Sequence, residues 1–117
     1  LNALETIQLT PDVPRIMSTL SGVLHLGNVR FGEKESEQGR VAAVATDGSM
    51  ESTEHAASLL GVDSEHLRKL LLERSVKLPG GEVVHVHRKV HESAEARDAL
   101  AKSLYSALFD WLLGRIN

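Results

Sequence analysis

A chain of 117 residues with 42% apolar and 25% charged side chains has the composition of one soluble globular unit, and its 3% aromatic content leaves Leu and Val to form the core. Thirteen basic residues against sixteen acidic ones give a formal charge of -3, so no single-sign field directs the chain to nucleic acid or to an acidic membrane surface. The absence of cysteine excludes disulfides, thiolate metal sites and thiol nucleophiles, and no apolar run approaches the ~20 residues of a membrane span.

The first residues carry no basic start or apolar stretch of a secretory signal, so the expected location is intracellular, without membrane insertion. Leu1, Leu4, Ile7 and Leu9 fit the end of a short helix with nothing capping its beginning. That missing cap and the start at Leu1 are expected of a piece of a longer protein. Next, Thr10 as N-cap, Pro11 at the first helical position and Asp12 in the first turn predict a helix from about Pro11 to Leu24. Val13, Ile16, Met17, Leu20, Val23 and Leu24 form its buried face, and Gly27-Asn28 is expected to end it in the left-handed conformation.

Val29-Arg30-Phe31 then reads as a short strand, the polar stretch from Gly32 to Arg40 as a solvated loop, and Val41 to Ala45 as a strand running into the turn cluster Thr46-Asp47-Gly48-Ser49. Two helices follow, one from Ser52 to Leu60 stopped by Gly61, and one from Ser64 to Arg74 capped by Asp63. In the second, Glu65 and Lys69 form an i,i+4 pair, while Leu67, Leu70 and Leu71 face inward.

Pro79-Gly80-Gly81 separates SVKL from EVVHVH, each with partial alternation, which predicts a hairpin or extended loop projecting between two helices. The last helix runs from about Glu92 to Ile116, with Asp98 and Lys102 as an i,i+4 pair. Leu100, Leu104, Leu108, Trp111 and Leu112 line one edge of its apolar face, and Ala101, Tyr105, Phe109, Leu112 and Ile116 the adjoining edge. Apolar around much of its circumference, it needs packing from several sides. With no internal repeat, the expectation is a single, mainly α unit: a helical subdomain with one or two short β-strands or a hairpin and a long C-terminal helix.

Three stretches in order, VLHLGNVRF, ASLLGVDSEHLRKLLLERSV and ARDALAKSLYSALFDWLLGRIN, resemble consecutive stretches of a myosin motor domain. The last is the most specific, since Arg97, Asp98, Ala99, Leu100, Ala101, Lys102, Leu104, Tyr105, Leu108, Phe109, Trp111, Ile116 and Asn117 match the family pattern in place. Gln8, where a Gly is common, and Glu92-Ser93, where Gln-Ala is usual, depart from it. The resemblance implies that residues 1–117 are a fragment of the upper subdomain of the motor, one jaw of the actin-binding cleft, in an actin-activated ATPase. It implies actin filaments and the remaining motor subdomains as partners, and a cytoplasmic, cytoskeleton-associated location.

The family's phosphate loop GxxxxGK[ST] and its switch segments NxxSSRFG and DxxGFE do not occur in this sequence. The isolated chain is therefore expected to hold no cofactor and to be inactive, with ATP and Mg2+ bound by other parts of the parent motor. Residues 74–89 resemble the family's actin-contacting loop, with Arg74, Lys77, Glu82, His85 and Arg88 as its contact residues. Glu82 lies sixteen residues before Asp98, a position that is acidic or phosphorylatable in the family, so its carboxylate would supply negative charge without a kinase. The bland reading of each is an ordinary polar residue in a solvated loop.

His85 and His87 alternate toward one face with His91 nearby, which raises zinc chelation against the simpler reading of surface histidines; no metal site is expected. His25 reads as a packed or capping histidine, and His55 and His66 have no partner that suggests catalysis. Glu33 and Glu35 sit in the predicted loop, where nothing fixes their separation for acid and base work, and no nucleophile elbow is present. No catalytic residue is expected. The competing reading is a free-standing helical interaction module. A reading frame continuing upstream to a phosphate loop and downstream into DxxGFE separates the two. The last helix as a cut edge also predicts uncovered apolar surface around Trp111, Leu113 and Ile116 that favours self-association.

Overall fold

The computed structural model describes residues 12 to 116, excluding the side chain of Ile116. The Thr10 cap, the Pro11 start, the short helix around Leu1 to Leu9 and the departure at Gln8 lie outside the described residues. The described chain runs α1 (Val13–Gly27), β1 (Phe31–Ser36), β2 (Gly39–Val44), α2 (Ser49–Leu60), α3 (Ser64–Leu72), β3 (Glu73–Lys77), β4 (Val83–His87) and α4 (Val90–Ile116). It is mainly α, with two antiparallel two-stranded hairpins and a long C-terminal helix.

α1 buries Ile16, Gly22 and Leu26, whereas Met17 and Leu24, expected on the buried face, are exposed. Nor does a left-handed residue end it. Asn28 has φ -89, and the N–H groups of Asn28 and Val29 bond the carbonyls of His25 and Leu26 at 3.1 Å each. These i,i+3 bonds tighten the last turn and satisfy the helix-end carbonyls without a left-handed turn.

The stretch expected to be a solvated loop is most of a hairpin. β1 pairs with β2 from Phe31↔Val44 to Ser36↔Gly39, around a turn at Glu37-Gln38 with Gly39 at φ +93. Val41 and Ala42 are buried and anchor β2, and Arg40 pairs across to Glu35 at 3.0 Å and Glu33 at 4.0 Å. Glu33 and Glu35 are thus held on a strand by a cation. They are not loose carboxylates.

α2 begins three residues earlier than expected because Ser49 is built into its start. Buried Ser49 Oγ accepts from the Arg30 N–H and donates to Asp47 Oδ1, both at 2.8 Å. That hydroxyl, helped by the Arg30 guanidinium at 3.5 Å, holds the Asp47 carboxyl below its ordinary range. Gly61, at φ +75, ends the helix in the left-handed turn that the sequence predicts, with the Val62 N–H reaching the Ala57 carbonyl at 2.9 Å.

Asp63 caps α3 as expected, accepting from the His66 N–H at 3.2 Å. The helix stops at Leu72, two residues short of the predicted Arg74, because Glu73 turns extended and enters β3. Glu65 pairs with Arg68 one turn on, and not with Lys69; that hydrogen bond holds its carboxyl below the ordinary range. Leu67 and Leu71 point inward, but Leu70 is 49% exposed.

Leu26, Val29, Ala56, Ala57, Leu67 and Leu71 form the core, with Phe31, Val44, Leu100, Ala101 and Leu104 partly buried against it. The shortest dimension is 21 Å, room for about two helix diameters. α4 starts two residues earlier than expected: Glu92 Oε1 accepts from the Lys89 N–H at 2.8 Å and so caps the helix, a bond that also lowers the Glu92 pKa. At its two ends α4 is tied antiparallel to α1. Arg97 Nη1 donates to the Val29 carbonyl at 2.8 Å and its guanidinium lies 6.0 Å from the Phe31 ring centroid, while Arg115 pairs with Asp12 at 3.2 Å. Asp98 pairs with neighbouring Arg97 at 2.9 Å, and not with Lys102.

Ser93 is fully buried, and its hydroxyl has no hydrogen-bond partner among the described residues. An unpaired buried hydroxyl is unfavourable, so Ser93→Ala is expected to raise stability by about 1 kcal/mol in urea unfolding. A loss of similar size would show that the hydroxyl has a partner.

Candidate functional site

The predicted contact loop is the β3–β4 hairpin with its flanks. The strands pair from Glu73↔His87 to Lys77↔Val83. The turn is closed by the Gly81 N–H on the Leu78 carbonyl at 2.9 Å and the Leu78 N–H on the Glu82 carbonyl at 2.7 Å. Gly81 sits at φ +88, the left-handed position of a type I turn followed by a bulge, which explains why Pro79-Gly80-Gly81 marks this turn so clearly.

Side chains alternate across the hairpin, so Ser75, Lys77, Val83, His85 and His87 share one face and Arg74, Val76, Val84 and Val86 the other. Lys77 and His85 thus share a face, Arg74 is exposed on the opposite one, and Glu82 is exposed at the turn. Arg88 differs: it is half-buried, its Nε donates to the Glu73 carbonyl at 3.1 Å, and its N–H donates to the Leu72 carbonyl at 2.7 Å. Its own carbonyl accepts from the Ala42 N–H at 2.9 Å. Arg88 therefore fastens the base of the hairpin to α3 and β2, leaving Arg74, Lys77, Glu82 and His85 as the outward-facing members of the set.

Exposed Leu78, Val83 and Val84 interleave with these charges. The base is further braced where Gln38 Oε1, at the other hairpin's turn, accepts from the His87 N–H at 3.3 Å. His85 Nδ1 lies 3.4 Å from Ser75 Oγ. Among the described residues, no three His, Asp or Glu side chains are grouped to hold a metal.

A second open surface lies on the C-terminal half of α4, where Tyr105 is 55%, Phe109 52%, Trp111 40% and Leu113 42% exposed. Arg115 covers part of Trp111, its guanidinium 5.7 Å from the ring centroid. Sequence reasoning named this helix and its aromatics. Arg97 entered only as a match to the family pattern, and its role is not readable there because its partner, the Val29 carbonyl, is a backbone group that carries no side-chain signal.

A helical base thus displays one braced hairpin and one open apolar helix face. The comparisons give it a family. The model of the myosin head (motor domain) matches residues 1–117. Myosin heavy chain 95F of Drosophila melanogaster is 41% identical over 106 residues, 87% of this chain and 8% of its own length. Unconventional myosin-VI of Homo sapiens is 40% identical over the same shares, and Myosin-1 of Vanderwaltozyma polyspora is 34% identical over all of this chain and 10% of its own length. The chain belongs to the myosin head (motor domain) family, and it spans about a tenth or less of the length of these relatives. Among its described residues, no helix is long and apolar enough to cross a membrane.

Proposed function

We propose that this chain contributes the upper jaw of the actin-binding cleft in an actin-based, ATP-driven myosin motor, with the β3–β4 hairpin as its actin-contact loop. The observation that carries this is the hairpin itself: four of the five candidate contact residues face outward around a turn, and the fifth, Arg88, anchors the base. Glu82 is the fixed negative charge at that turn. The exposed face of α4 docks the remaining motor subdomains and drives self-association where they are absent. ATP and Mg2+ are bound outside these 117 residues, since the sequence contains neither the phosphate loop nor either switch segment. The assembled motor works on actin filaments in the cytoplasm.

In the intact motor, Glu82→Lys is expected to lower actin activation of ATP turnover about fivefold, the effect of roughly 1 kcal/mol of charge mismatch at a protein interface. The basal rate without actin is expected to stay constant. Unchanged actin activation would remove Glu82, and with it the hairpin, from the actin interface.

A further inference from the structure

α1 and α2 pack antiparallel at close range. Gly22 lies against Leu59 and Leu60, and three residues further along α1 the ring of His25 meets that of His55, four to five residues back along α2. The two imidazole centroids are 5.3 Å apart with planes inclined at 30°. His25 is half-buried and His55 exposed, so solvent reaches the pair.

That separation has a chemical meaning. A zinc-type cation binds an imidazole nitrogen at about 2.0–2.1 Å, which puts each ring centroid about 3.2 Å from the metal, and two centroids 5.3 Å apart then subtend roughly 110° there, close to a tetrahedral angle. The final ring torsion of histidine is broad and soft, so either ring turns its nitrogen to a shared cation at little cost. The backbones need not move, because the glycine contact already holds the helices together.

We propose that His25 and His55 form a two-imidazole chelate for a divalent cation of the zinc class across the α1–α2 interface, with water in the remaining positions. Such a cation cross-links two helices through side chains thirty residues apart, so its binding stabilises the folded chain. The alternating pair His85 and His87, the metal candidate suggested by sequence, is not part of this site.

Zinc chloride titrated into the full chain at neutral pH, followed by calorimetry and by the thermal midpoint, tests it. The expected result is micromolar binding that raises the midpoint, weakened about tenfold or more by His25→Ala and by His55→Ala and unaffected by His85→Ala. Because His55 is exposed, His55→Gln keeps the fold, checked by circular dichroism, and decides the matter if His25→Ala unfolds. Absence of zinc binding, binding that survives His55→Gln, or binding lost in His85→Ala would each overturn the proposal.

Discussion

Gly22→Leu is expected to destabilise the chain by about 3 kcal/mol, read as a lower urea midpoint with an unchanged slope. A Cβ at this position already lies 2.8 Å from Leu60 Cγ, 2.9 Å from Leu60 Cδ2 and 3.3 Å from Leu59 Cβ. Leu60 Cγ is the branch point of its side chain and Leu59 Cβ sits beside the backbone, so rotamer changes alone do not clear the space. The helices must separate, which opens the core that α2 shares with α1 through Ala56 and Ala57.

Gly22→Ala is the informative control. Its single methyl meets the same contacts, but alanine is favoured over glycine within a helix by about 1 kcal/mol, which offsets part of the crowding. The expected order is Gly most stable, Ala slightly less, Leu far less. If Leu is tolerated as well as Ala, α1 and α2 do not approach as described. The same variant bears on the histidine pair: helices pushed apart by a leucine no longer bring His25 and His55 to chelating distance, so Gly22→Leu should also weaken zinc binding.

Much of the fold is legible where a residue acts on its own backbone. Gly61 ends α2 and Asp63 starts α3 by local chemistry, and Pro79-Gly80-Gly81 sets the hairpin turn, so these positions are readable without knowing what packs nearby. β1 is illegible for the opposite reason. Gly, Glu and Lys disfavour strands, and the stretch from Gly32 to Ser36 pairs only because buried Val41 and Ala42 hold β2 in place and Arg40 bridges back to two glutamates.

The candidate site divides in the same way. The hairpin and its outward charges follow from alternation around a turn, but Arg88 looks like one more loop cation until its guanidinium is seen on the Glu73 carbonyl. Likewise, the sequence shows α4 to be apolar around much of its circumference, but not which side is covered. In a body 21 Å thick, only the side of α4 facing α1, α3 and the first hairpin is covered. His25 and His55 lie on different helices, and no spacing rule connects them.

Leu26→Ala is expected to cost about 3–4 kcal/mol, and Leu24→Ala less than about 0.5 kcal/mol. These two residues belong to the same run, LHLGN, and differ by about 200° around the helix, so they cannot share a face. Leu26 has no exposed surface and lies among Val29, Ala56, Leu67 and Leu71, where removing its isopropyl end leaves a cavity bounded by three elements, whereas Leu24 is 71% exposed. Reading apolar spacing alone puts Leu24 on the buried stripe with Leu20 and Val23; the structure selects Leu26 because α1 must also reach α3 and α4 beyond its crossing with α2. Equal losses for the two variants would mean that α1 is rotated about its axis. His25, which lies between them, would then no longer face His55, so this pair of unfolding curves tests the rotation on which both the core and the proposed chelate depend.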